Sequence, residues 1–169
     1  MKEVLFLLFL SFYISVFAMM GQEEGLVLLD SKKSLGSIQI TETKSLVIDY
    51  PVDSETIKKL KYLVELKELR LGQNFIFTSE KVRKNFFNSL RKLVNLEILD
   101  LSGKEFSASY LQFLPKKLKF LDLSDTSILP SSIKYIPCSL EEVSIKNTFL
   151  AKEILNHPDD FKSIKFILE

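Results

Sequence analysis

The sequence predicts an α/β fold, a short right-handed solenoid or horseshoe with a parallel sheet on its concave face and helices or turns along its convex face. Three observations carry this reading. One frame recurs along the chain: apolar, two variable residues, apolar, one variable, apolar. Its copies start 21 to 30 residues apart, and the intervals between them carry apolar residues at helical spacing. Within each copy the two closely spaced apolar side chains point to one side of a short strand and the variable ones to the other, because side chains alternate with period two. A single copy cannot bury its own leucines, so neighbours must stack around a shared core.

At the amino end, Lys2 opens an uncharged run from Val4 to Phe17, with Val16 and Ala18 as the small residues a signal peptidase reads before its cut. Residues 1–18 therefore read as a signal peptide, with the mature chain starting near Met19. The rival is an uncleaved anchor, against which Val4 to Met20 is short of the roughly 20 apolar residues a bilayer span needs. LVLLD at Leu26–Asp30 and SIQIT at Ser37–Thr41 read as strands around the SKKS turn. They lie too close together to be full repeats, which makes residues 19–42 an N-terminal cap.

Residues 43–169 hold about six copies of the frame. The clear ones are LKELRLGQN from Leu66, LEILDLSGK from Leu96, LKFLDLSDT from Leu118 and LEEVSIKNT from Leu140; TKSLVIDYP from Thr43 and FKSIKFILE from Phe161 are weaker. Starts at 43, 66, 96, 118, 140 and 161 give steps of 23, 30, 22, 22 and 21 residues. The alternation places Leu69/Leu71, Leu99/Leu101, Leu121/Leu123 and Val143/Ile145 inside. The 30-residue step holds a helix over Thr78–Leu93, with Val82, Phe86, Phe87, Leu90 and Leu93 on one face and Ser79 or Thr78 as N-cap. Shorter helical segments are expected at Ser54–Leu63, Ser107–Leu114 and Leu150–Asn156, and a turn or short 3₁₀ piece at Pro130–Pro137.

These segments resemble the L-x-x-L-x-L-x-x-N pattern of the leucine-rich-repeat family, over roughly Thr43 to Glu169. FLPKKLKFLDL and YIPCSLEEVSI, with Pro just before the repeat start, are similar to the Pro-containing repeats of bacterial and protozoan variants. The resemblance implies a concave sheet of the kind that commonly binds protein partners. The family's Asn stands only at Asn74; Lys104, Thr126, Thr148 and Glu169 hold the matching places, so the buried Asn ladder the resemblance implies is mostly replaced. Thr can donate to a neighbouring carbonyl, whereas Lys104 cannot sit buried unpaired, which predicts a looser turn there.

The outward positions form two columns. One runs Ser45, Glu68, Ile98, Phe120, Glu142 and Ser163; the other Val47, Arg70, Asp100, Asp122, Ser144 and Lys165. The candidate ligand-binding face is Glu68, Arg70, Ile98, Asp100, Phe120, Asp122, Glu142 and Ser144, an apolar pair beside an acidic pair rimmed by charge. The rival reading makes D-L-S the family's ordinary filler. Asp100 and Asp122 also suggest a paired-carboxylate device or a cation site, but no His, third carboxylate in register or Gly loop accompanies them, and Arg70 and Lys146 flank them as charge offsets. His157, with Asp159 and Asp160, reads as a capping turn before the last repeat, and no second His or Cys lies at ligand spacing. No HExxH, GxSxG, P-loop or CxxC pair occurs, so neither an enzyme nor a metal or cofactor site is expected.

Length and charge bound the rest. A chain of 169 residues fits one domain, and 23 Lys and Arg against 22 Asp and Glu, interleaved, give no field favouring nucleic acid. Cys138 is the sole cysteine, so stability comes from packing and not from an intramolecular disulfide. Lys81, Arg83, Lys84, Arg91 and Lys92 gather on the long helix, read as a solvated face. The expectation is a secreted or exported (extracellular, periplasmic or cell-surface) module that binds a protein ligand, with a host-interaction role by family analogy and no membrane span after signal cleavage. The alternative is an envelope or matrix component that self-associates edge to edge through its final strand, Ser163–Ile167, or a member cut from a longer array.

Overall fold

A computed structural model describes residues 26–29, 43–137, 139–156 and 164–168. The signal segment, the strand expected at Ser37–Thr41, Cys138, the His157 turn, Ser163 and Glu169 lie outside these residues. The described strands are β1 (Leu26–Leu29), β2 (Ser45–Ile48), β3 (Glu68–Leu71), β4 (Ile98–Asp100), β5 (Phe120–Asp122), β6 (Glu142–Ser144) and β7 (Lys165–Ile167). They form one seven-stranded sheet in chain order, every neighbouring pair parallel.

Parallel neighbours require a return segment between them. From β2 onward these are α1 (Ser54–Leu60), α2 (Glu80–Leu90), a 3₁₀ helix at Ala108–Phe113, a second at Pro130–Tyr135, and α3 (Phe149–Asn156). Successive returns pack against one another in the same order as the strands, so the architecture is repeat-like and the core lies between sheet and returns. Leu46, Leu69, Leu99, Leu121 and Val143 stand opposite one another across five strands, all fully buried. Every side chain the alternation placed inside is buried.

Local chemistry sets where each return starts and stops. Asp53 caps α1 by accepting from the Thr56 N–H at 2.8 Å. Ser79, not Thr78, caps α2 through the Val82 N–H at 3.2 Å, leaving the Thr78 hydroxyl to donate to the Val52 carbonyl. Leu114 stands before Pro115, which drives it to extended backbone (ψ 148°) and ends that return after six residues. The long step is filled by α2 and an aromatic cluster: Phe86 and Phe87 meet edge to face at 5.4 Å, and Phe87 stacks on Tyr110 at 4.9 Å.

Beyond β4, β5 and β6 the chain turns through Gly103, Asp125 and Asn147, all at positive φ (66°, 58° and 55°). Gly, Asp and Asn are the residues that tolerate this left-handed conformation. The next residue then points inward. Thr126 and Thr148 donate to the carbonyls of Leu123 and Ile145 at 2.5 and 2.6 Å. Lys104 is 9 % exposed, and its ammonium donates to the Gly72 carbonyl of the preceding repeat at 2.6 Å, above the Phe75 ring. The looser turn expected there is therefore corrected: the aliphatic stem fills the apolar layer while the head finds a backbone acceptor. Asn74 is exposed, bonded to Asp49, and the buried Phe75 takes the inward place one residue later.

Two findings concern the sheet's ends. Strand β1 joins the sheet parallel and in register with β2, Val27 opposite Leu46. At β7, Lys165 stands opposite Glu142 and Phe166 opposite Val143, so the last copy is displaced by two residues from the expected alignment. The final step is 23 residues, from Glu142 to Lys165, and Lys165 belongs to the first outward column, with Ile167 in the second.

Candidate binding face

The face of the sheet turned away from the returns carries the two outward columns. Register aligns Ser45, Glu68, Ile98, Phe120, Glu142 and Lys165 in one, and Leu28, Val47, Arg70, Asp100, Asp122, Ser144 and Ile167 in the other. All eight candidate residues lie on this face, but not on equal terms. Glu68 is 9 % exposed: one carboxylate oxygen accepts from the Ser45 hydroxyl at 2.7 Å and the other pairs with the Arg70 guanidinium. Arg70 thus neutralises Glu68 in its own strand and makes no ion pair with Asp100. Ser144 is 3 % exposed, bonded at 2.8 Å to the Ser124 hydroxyl, so it offers no contact surface. Glu142 pairs with Lys165 at 2.6 Å.

The centre is different. Ile98 and Phe120 are half-buried neighbours, and so are Asp100 and Asp122 beside them. Adjacent strands lie about 4.8 Å apart, so the two carboxylates repel across one strand spacing. Neither has an ion-pair partner among the described residues. Each uses one oxygen inside its own repeat: Asp100 accepts from the Ser102 N–H and Asp122 from the Ser124 N–H, both at 2.8 Å. These Asx turns close the strand ends. The D-L-S tripeptide is thus both a turn device and the source of the face's acidic charge, which Lys104 offsets in part at Asp100. Lys146 is half-buried and forms no ion pair with either aspartate.

A further row precedes the strands. The N–H groups of Lys67, Glu97, Lys119 and Glu141 donate to the carbonyls of Lys44, Lys67, Glu97 and Lys119 in turn, at 2.7–2.9 Å. Its side chains alternate in sign from Lys67 on, and Lys119 bonds Glu97 at 2.9 Å, holding the Glu97 carboxyl below and the Lys119 ammonium above their usual ranges. Sequence reading passed over this row and over the left-handed turn positions; the signals were the alternating charge at the second residue of each frame and the Gly, Asp, Asn series at a fixed offset.

Among the described residues no three His, Cys, Asp or Glu side chains gather as a metal site would require, and no helix is long and apolar enough to cross a membrane. No protein-family model matches the chain, and no curated protein does. Among solved structures, a crystal structure of a Bacteroides fragilis protein is similar over 76 % of this chain, with a TM-score of 0.55 and 17 % identity. The matched region spans 41 % of that protein's length, and at this identity the likeness concerns the fold alone.

Proposed function

We propose that this chain is a leucine-rich-repeat solenoid of the secreted or exported kind, and that its concave sheet recognises a protein ligand. The observation that carries the reading is the central patch. Ile98 and Phe120 offer apolar surface beside the Asp100–Asp122 pair, while the flanking carboxylates of Glu68 and Glu142 are already neutralised by Arg70 and Lys165. An aromatic and an aliphatic side chain next to unpaired charge make a small hot spot. Its complement is a segment carrying a Lys or Arg beside an apolar residue. The N-terminal h-region supports export.

Selection of random peptides against the immobilised protein tests this. Enriched sequences are expected to pair a basic with an apolar residue, and Phe120→Ala is expected to weaken them by about 2 kcal/mol, the loss typical of a central anchor. Asp100→Asn and Asp122→Asn keep the turn acceptors, so a weakening in these variants reports lost charge and not lost fold. Peptides that bind all three variants as well as the parent would refute the assignment.

A further inference from the structure

At the end of the sheet where strands begin, the turns leading into β4, β5 and β6 enclose a groove of about 1050 Å³. Each return contributes cations: Arg91 at the end of α2, then Lys116 and Lys117 in the turn before β5, then Lys134 in the second 3₁₀ helix. Val94, Pro115, Tyr135 and Pro137 line it between them, and Val94 is 55 % exposed, a large apolar side chain without cover. Among the described residues no carboxylate lines the groove, and none of the four cations forms an ion pair. Arg91 lies over the Phe113 ring and Lys134 over Tyr135, at 5.7 and 5.1 Å, and Lys117 donates to the Asn95 side-chain oxygen at 3.2 Å. These contacts steer the cations without neutralising them. Glu97, before β4, is paired with Lys119 and attracts Lys117 only at longer range.

We propose that this groove binds an extended acidic polypeptide segment interspersed with apolar residues. An extended chain alternates its side chains with period two, so one set meets the cations of successive repeats while the other lies on the Val94, Tyr135 and Pro137 surface. A flat anionic bilayer would touch the rim lysines and leave the concave apolar lining empty. A nucleic acid would use the cations but find one lining ring, Tyr135, already under the Lys134 ammonium, where single-strand binding relies on several stacked aromatics. This surface lies at the strand starts, outside the two outward columns of the sheet, and is independent of the ligand proposed for them.

The probe is a fluorescein-labelled dodecapeptide of alternating glutamate and leucine, followed by anisotropy against the purified full chain. Saturable binding that weakens as salt rises is expected, with an affinity loss of at least about tenfold in Lys116→Glu/Lys134→Glu. Phe120→Ala should bind the probe unchanged, which separates this groove from the open sheet face. Both lysines are exposed, so the reversals should leave the melting curve in place; if they do not, Lys116→Gln/Lys134→Gln serves, with a loss of about threefold. Absence of saturable binding, equal binding by these variants, or equal binding of a lysine–leucine dodecapeptide would overturn the proposal. So would tighter binding of oligothymidylate or of phosphatidylserine vesicles.

Discussion

Replacing Asp122 by alanine separates the two jobs its carboxylate holds. The substitution removes the acceptor of the Ser124 N–H, a 2.8 Å bond in a residue only 6 % exposed, and leaves that donor without a protein partner. Losing a charged acceptor of this kind costs about 1.5–3 kcal/mol when the donor is fully dry. Asp122 itself is half-buried, so water reaches the turn and reduces that cost to about 1–2 kcal/mol. Asparagine keeps a side-chain oxygen in the same place and relieves the repulsion from Asp100, so Asp122→Asn should stay within about 0.5 kcal/mol of the parent. At about 2–4 °C per kcal/mol, the alanine variant should melt roughly 2–8 °C lower. Urea unfolding followed by circular dichroism measures both variants. An asparagine variant as unstable as the alanine one would refute the turn-acceptor argument, because charge and not geometry would then close the strand end. An alanine variant as stable as the parent would refute it from the other side.

Three further outcomes follow from the packing. Burial holds the Lys104 ammonium below the usual lysine range, opposed by Asp49 and Asp100, so its folded pKa lies under the unfolded value of about 10.4. Between the two values the unfolded chain binds more protons; the stability of the parent minus that of Lys104→Met should therefore rise with pH through that alkaline window, and a difference that falls would contradict the burial. Gly72→Ala should destabilise by about 1–2 kcal/mol in the same urea titration, since a Cβ there would lie 2.3 Å from the Asp49 carboxylate oxygen and force it off Asn74. Phe87→Ala, at the centre of the aromatic cluster, should cost about 3–5 kcal/mol, and a loss under 1 kcal/mol would show the cluster able to collapse around it.

The inward set was legible because two periodicities, two in the strands and 3.6 in the returns, both point to one core. Leu69, Leu99, Leu121 and Val143 needed no further information. The last repeat misled for a physical reason. In FKSIKFILE the full frame starts at Phe161, but a shift of two preserves which side chains point inward, so Phe166 and Leu168 fill the two closely spaced inward places as well as Ile164 and Phe166 do. The tie is broken by partners the pattern does not contain, among them the Lys165–Glu142 ion pair. Lys104 misled because a lysine counts as a charge in a frame, while its stem packs as a hydrocarbon and only its head requires a carbonyl. On the outward face, column membership was readable but availability was not: Glu68 is covered through Ser45 in the neighbouring strand and Arg70 in its own, and Ser144 through Ser124 in the neighbouring turn.

The row that runs Lys67, Glu97, Lys119, Glu141 gives the stack a parity. Excising residues 97–118 would seat Lys119 directly on Lys67, and excising 119–140 would seat Glu141 on Glu97; each puts like charges on adjoining strands. Excising both, residues 97–140, seats Glu141 on Lys67 and restores an opposite pair. Repeats of nearly identical length are therefore not interchangeable bricks. From Lys67 on, this edge favours shortening or lengthening by twos over ones by about the worth of a surface ion pair, a preference written in charge on a framework that hydrophobic packing alone would leave free to add or drop any single unit.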